Sequence, residues 1–487
     1  MSLNKSNTFD HLDLCPVRAN CWLAAVILCA VPSARAVPTN LEVSSNRRFL
    51  IHKDTRKPFL FISDTAWSLV KECMHEQAIE YLDIRKQQGF TMIQFIATGH
   101  YRSANKYGDL PFHGDFDFAR PNTTPGSDFA DAEQYDYWDH MEWILTEIFK
   151  RQMYASVLPT WRQEIHDHRI TKDNAQTYGE FLGSRFRHLN DRIIWLMGGD
   201  RLVTNKDERL LYQRLAKGIA IGVAGREDYE WVMMSYHISG PGRTDSQWPE
   251  DEPWMDFNTT QSGHGIDNSD GLLETTYRRQ LKPVLDFEPY YDKNAGTTDL
   301  VRTIIHWGVF AGGFGTSYGH WSVWHFADGK FKYGKNDYEY NPPDCYNGPS
   351  AGYANQIKHL AQLLQSRPFL TRIPDQSVVT SNTYKGRDRI RATRSCDGSY
   401  LMVFSPRGWK FDVDLGKLSG DLLRWWWFNP RTGGIHSKGT MGNHRHSQTF
   451  TPPTNGERFS GHDWILVLDD ASKNFPAPGT PIDQESD

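Results

Sequence analysis

The feature that most constrains this chain is an apolar run of strand length that stops abruptly at a carboxylate. Ile193-Ile194-Trp195-Leu196-Met197-Gly198-Gly199-Asp200 and Pro283-Val284-Leu285-Asp286-Phe287-Glu288-Pro289 are the clearest cases. A strand with almost no polar positions is covered on both faces, and when such strands alternate with amphipathic stretches the sheet is parallel. The spacing places such runs at Phe59–Asp64, Thr91–Ile96, Tyr154–Pro159, Ile193–Asp200, Trp231–His237, Met255–Thr260, Pro283–Glu288 and Phe314–Tyr318, with helical patterns between them. Eight β/α units predict an α/β fold, a (β/α)8 TIM barrel over 37–370, with the chemistry on the rim formed by the carboxyl ends of the strands. The long stretch from Gly99 to Ala132, rich in Gly, Asp, Pro and Phe, follows the second strand and is expected to shape the cleft on that rim.

Beyond 370 the pattern changes to short alternating strands, among them Tyr400–Phe404 and Trp464–Leu468, and predicts a small C-terminal β-sandwich over 371–470. Residues 471–487 carry three prolines and no apolar period, and are expected to be a disordered tail. At the other end, the apolar run Cys21–Val31 precedes Ala34-Arg35-Ala36, the small-x-small form of a leader-peptidase site. Residues 1–36 are therefore read as a signal peptide and the protein as secreted and extracellular. The run falls short of the roughly 20 apolar residues of a membrane span. Three of the six cysteines lie in that leader, and Cys73, Cys345 and Cys396 allow at most one bridge. A net charge of −5 supplies no basic face for nucleic acid or anionic lipid. No metal or cofactor is expected: His166-Asp167-His168 and His444-Arg445-His446 lack further ligands at defined spacing. A monomer with a carbohydrate partner is the expectation.

That partner follows from the acids. Two carboxyl groups on one barrel rim suit cleavage of a glycosidic bond, where one group hands a proton to the leaving oxygen and the other meets the cationic carbon. Asp200 is the candidate acid/base and Glu288 the candidate nucleophile. Asp64, ending the first strand, is a candidate acceptor for sugar hydroxyls, or else a helix cap. His237, His264 and His320 fall at strand exits as candidate donors, or as satisfied structural histidines. Trp67, Trp161, Trp254 and Trp324 are stacking candidates set against core packing. In Trp425-Trp426-Trp427, strand alternation lets only the outer two rings share a face, and inter-sheet core is the simpler account. Of two glycosylation sequons, at Asn122 and Asn258, the second sits at a strand end.

The motifs Phe61-Ile62-Ser63-Asp64-Thr65-Ala66-Trp67, Trp195-Leu196-Met197-Gly198-Gly199-Asp200, Pro253-Trp254-Met255-Asp256-Phe257-Asn258 with Gln261-Ser262-Gly263-His264, Lys282-Pro283-Val284-Leu285-Asp286-Phe287-Glu288-Pro289 and Tyr318-Gly319-His320 resemble the apiosidase-like glycoside hydrolases, family 140. The resemblance implies a catalytic pair at Asp200 and Glu288, adds Gln261 and Tyr318 to the substrate contacts, and implies cleavage of a furanoside such as apiose or arabinose from pectic side chains. The C-terminal region is similar to the collagen-binding-type β-domain that follows such barrels. Ser63 and Phe287 stand where the family usually carries glycine, beside the sugar subsite. The rival reading is a non-catalytic carbohydrate- or matrix-binding protein on a degenerate barrel; a third is an endo-acting enzyme with an open groove.

Overall fold

A computed structural model describes residues 35–99, 102–248, 252–263, 269–293, 295–326, 329–333, 336–340 and 349–487. The leader run and its cleavage motif up to Ala34, together with His264 and Cys345, lie outside the described residues.

The parallel strands are β1 (Phe61–Thr65), β2 (Met92–Ile96), β3 (Tyr154–Leu158), β4 (Ile193–Arg201), β5 (Met233–Ile238), β6 (Asn258–Gln261), β7 (Val284–Asp286) and β8 (Gly315–Tyr318). Between them run α1 (His75–Gln87), α2 (Tyr137–Lys150), α3 (Arg162–His166), α4 (Ala175–Arg185), α5 (Lys206–Ala224), α6 (Ser269–Arg279) and α7 (Thr298–Phe310); α8 (Ile357–Gln365) follows. The expected single barrel of eight strands takes a different form among the described residues. Six strands form one curled parallel sheet, ordered β8–β1–β2–β3–β4–β5, while β6 and β7 pair in parallel in a separate sheet, whose third member is the short antiparallel strand Gly242–Arg243 on β6. Single hydrogen bonds flank that pair, from Asp256 N–H to Met234 O (2.9 Å) and from Phe314 N–H to Val284 O (3.0 Å). The reason lies in the sequence of β6, Asn-Thr-Thr-Gln. Side-chain hydroxyls take over what a ladder would do, with Thr259 donating to Tyr236 O and Ser235 to Phe257 O.

The helices pack outside the sheet. On α2, Asp136 caps the first turn by accepting the Trp138 N–H at 2.7 Å, and the helix buries Trp138, Met141, Ile144, Leu145 and Ile148. The crossing of α4 and α5 is built on glycine: a Cβ on Gly179 would lie 2.4 Å from Leu215 O, and one on Gly218 would lie 2.2 Å from Gln176 O. The insertion after β2 is anchored rather than loose. Phe112 and Phe118 are buried with ring centroids 4.4 Å apart, and Trp138 Nε1 donates to Pro111 O at 2.9 Å.

Past α8 come β9 (Arg372–Pro374), β10 (Arg391–Ser395), β11 (Tyr400–Ser405), β12 (Phe411–Asp414), β13 (Leu422–Phe428), β14 (Ile435–Gly442), β15 (Ser447–Phe450) and β16 (Trp464–Asp470). They form an antiparallel six-stranded sheet, β9–β10–β11–β16–β13–β14, and a two-stranded ribbon, β12–β15. The expected sandwich is thus lopsided, because the large sheet uses both faces. Leu401, Val403, Leu466, Leu468 and Trp427 pack under the ribbon with Phe411 and Val413. Met402, Phe404, Trp426, Ile465 and Val467 belong to the same core as the parallel sheet and its helices. Alternation along β13 explains the tryptophan triplet: Trp425 and Trp427 lie on the ribbon side, Trp426 on the opposite side with its Nε1 on Asp469 (2.9 Å). Two buried fork-to-fork ion pairs cross the joint, Arg367 with Asp469 and Arg302 with Asp463, each through two bonds of 2.7 Å.

The tail is a correction to the expected disorder. Residues 471–487 are laid back on α8 and the N-terminal segment, where Ile482 N–H and Gln484 Nε2 both reach Gln365 O (3.0 and 2.7 Å) and the Asp487 side chain accepts the Ser45 N–H (2.7 Å). Backbone and side-chain partners make up for the missing apolar period. Asn258 is 1 % exposed and donates to Gln280 at 2.8 Å, so this sequon is closed to glycosylation in the folded chain.

Candidate active site

The carboxyl end of β4 leaves regular strand geometry. Gly198, Gly199 and Asp200 have φ of 99°, 88° and 59°, and pairing with β5 jumps from Gly198↔His237 to Arg201↔Ile238. Such a bulge re-aims a side chain at the rim of a sheet. Only glycine fits at the first two positions, since a Cβ would lie 2.3 Å from His237 O on Gly198 and 2.5 Å from Thr160 O on Gly199. Aspartate is among the few other residues that tolerate the left-handed region.

The bulge delivers the Asp200 N–H to His237 Nδ1 at 3.1 Å. A ring nitrogen that accepts carries no proton, so the hydrogen of a neutral His237 sits on Nε2, which lies 3.2 Å from Glu288 Oε2. One buried imidazole therefore stands between the Asp200 backbone and the Glu288 carboxyl. Gln261, the last residue of β6, donates its amide to Glu288 Oε2 at 2.6 Å and also stands beside the Asp200 carboxyl. Arg162, the first residue of α3, donates to Asp200 Oδ2 at 3.0 Å. Burial raises the Asp200 carboxyl above the ordinary aspartate value and the charge of Glu288 adds to this, while His237, Arg162 and Gln261 pull the other way.

Glu288 lies just past β7, where Phe287 N–H still bonds Thr260 O (2.8 Å) before the chain bends. Sequence reasoning missed its main support, Tyr291. This buried phenol hydrogen-bonds Glu288 and Thr65 and accepts the Trp67 indole N–H at 3.0 Å. Burial and the Glu288 charge hold its hydroxyl well above the usual tyrosine range, so it stays protonated as a donor. Its ring fits because Gly319 has no side chain: a Cβ there would lie 2.4 Å from the ring. Two residues below Glu288, burial pushes Asp286 up to about 7, and its carboxylate accepts the Ser262 N–H (3.1 Å), fixing the turn after Gln261.

Trp67 and Trp161 join this group, their rings 5.3 Å apart and 5.4 and 5.7 Å from His237. Asp64 does not. Ser63 bonds Ser317 inside the sheet, so by alternation Asp64 faces the helices, where it is fully buried against Arg85 (2.6 Å) and Tyr81. Tyr318 shares that outer side, donating to Ala351 O at 2.8 Å. Trp254 packs edge-on against Trp248 at 5.3 Å, next to Tyr236 on the helix-facing side of β5. The expected sugar contacts from Asp64, Tyr318 and Trp254 are thus replaced by structural ones. His320 is buried with Nδ1 accepting the Ser322 N–H at 3.1 Å, and buried Trp324 has its ring edge-on to His325.

This rim geometry accords with what comparison finds. The sequence profile of the apiosidase-like catalytic domain matches residues 44–371, most of the chain. The chain belongs to the apiosidase-like family. Residues 373–469 match the profile named for a collagen-binding domain of a collagenase. Among solved structures, the chain is similar to a glycoside hydrolase family 5 from Bacteroides vulgatus, with 27% identity, 92% of this chain and 96% of that chain covered, and a TM-score of 0.76. A second, described as a glycoside hydrolase, is 28% identical over 89% of this chain and 97% of its own, with a TM-score of 0.75. No curated protein matches. Family and relatives together support a glycosidase.

Proposed function

We propose that this apiosidase-like protein is a secreted, retaining glycosidase of family 140 that removes a terminal furanose, such as apiose or arabinose, from pectic side chains. The observation carrying this reading is that one side-chain amide, that of Gln261, stands at both carboxyl groups, while His237 lies between the Asp200 backbone and the Glu288 carboxyl. Carboxyls served by a single amide favour the about 5–5.5 Å separation of a retaining pair over the about 6.5–9.5 Å that leaves room for a water. Ionised Glu288 attacks the anomeric carbon as the bond to the leaving oxygen breaks, and Asp200 gives that oxygen its proton. The glycosyl ester that forms removes the negative charge of Glu288, so Asp200 becomes more acidic and can take a proton from the water that releases the sugar. Gln261 and Tyr291 hold Glu288 in line throughout. The leader motif supports secretion.

The test is a screen of the full chain against aryl furanosides, aryl pyranosides and pectic side-chain polysaccharides, with proton NMR of the first anomer released. Glu288→Gln is expected to lower turnover by about four orders of magnitude or more while keeping the fold. Unchanged turnover refutes the assignment, an inverted first product refutes retention, and undiminished carbohydrate binding without any turnover in the parent favours the non-catalytic rival.

A further inference from the structure

A cleft of about 780 Å³ opens between the segment that follows β3 and the one that follows β4. Its floor is apolar, formed by Ile165, Ile170 and Leu211, which are buried at 5, 1 and 3 % exposure. Its walls are polar, and Lys172 Nζ reaches from one to Asp207 Oδ2 on the other at 3.0 Å. An apolar floor with a few placed polar groups, in a volume of this order, is the usual make-up of a small-molecule site. Sugar rings match it, having one face of C–H groups and an edge of hydroxyls.

The lining of the cleft adjoins Asp200 in the chain. Arg201, the next residue, lines it, and Arg162, which holds the Asp200 carboxylate, begins the short helix whose Ile165 and His166 line the opposite side. The proton donor in glycoside cleavage stands at the leaving oxygen, so whatever is attached to that oxygen departs on the donor's side. Cations and anions in the lining balance, with Lys172, Arg201 and Lys206 against Asp173, Asp207 and Glu208. Such a surface offers hydroxyl partners of both kinds and no net attraction for a polyanion. We propose that this cleft binds the leaving-group portion of the substrate, and that this portion is an uncharged oligosaccharide of several sugar units. The inference rests on Asp200 being the acid.

The experiment uses the full chain carrying Glu288→Gln, titrated calorimetrically with a neutral arabinogalactan-derived oligosaccharide and with trigalacturonate. The same titrations follow with Asp207→Trp or Asp207→Asn added. The Asp207 side chain is 72% exposed, so the tryptophan fills the cleft without entering the core, and melting curves check this. Asp207→Trp is expected to weaken the neutral oligosaccharide at least about tenfold, a loss of about 1.4 kcal/mol, and Asp207→Asn to weaken it less than about threefold. Equal affinity in the parent and Asp207→Trp, no binding of the neutral oligosaccharide, or tighter binding of trigalacturonate overturns the proposal. If Asp207→Trp weakens binding but the wild-type chain releases no sugar from the same oligosaccharide, the hydrolase reading fails and the cleft stands. If the wild type hydrolyses it and the tryptophan changes nothing, the reverse holds.

Discussion

At the scale of single residues, the site's chemistry depends on hydrogen bonds to charged groups, each worth about 1.5–3 kcal/mol. Tyr291→Phe removes the hydroxyl that Glu288 and Trp67 share while keeping the ring against Gly319. Turnover is expected to fall about 10- to 100-fold, with a melting temperature lowered by a few degrees because the buried Trp67 N–H loses its acceptor. A fall of less than twofold in kcat would show that Gln261 suffices. Arg162 bears on the other acid. Its positive charge lowers the Asp200 pKa, so Arg162→Met leaves burial and Glu288 less opposed and the pKa rises. Because Asp200 must be protonated to act, the alkaline limb of the kcat/KM profile is expected to move to higher pH. A shift to lower pH would assign that limb to another group.

At the scale of elements, the crossing of α4 and α5 depends on bare backbone. Gly218→Val is expected to cost about 1–3 kcal/mol or more, read as a lower urea midpoint at unchanged slope. The parallel strands were legible because apolar runs and caps announce themselves locally, and the rim acids followed from where those runs stop. Which way a rim side chain points was not legible. In β1 both faces are buried, so nothing in Phe61–Thr65 says that Ser63 and Thr65 look inward and Asp64 outward. A clue lay on α1, whose apolar spacing includes Arg85: a guanidinium on a buried face needs a carboxylate, and the nearest strand supplies Asp64. Strand β6 was hard to place because its hydroxyls bond across the seam through side chains, which leaves no apolar signature. Tyr291 belongs to a turn, and its role depends on Trp67, more than two hundred positions away.

For the whole molecule, the two matched regions share one hydrophobic core. Arg367→Met strands Asp469 at 1 % side-chain exposure, and is expected to destabilise the chain by about 3–5 kcal/mol, with both regions melting together. Replacing both partners by apolar residues should restore much of the loss. Two separate transitions in calorimetry would show that the joint does not couple the regions. The shared core was invisible in sequence because alternation marks a strand as two-faced without saying what covers each side.

The bulge that ends β4 reaches further than the acid it aims. With Gly198, Gly199, His237 and Gln261 each wedged against neighbouring backbone or against a catalytic candidate, the floor of this pocket leaves mutation little room to explore. New sugar preferences in related chains should therefore arise in the anchored insertion after β2 and in the walls beyond α3. A directed-evolution library is best confined to those two stretches.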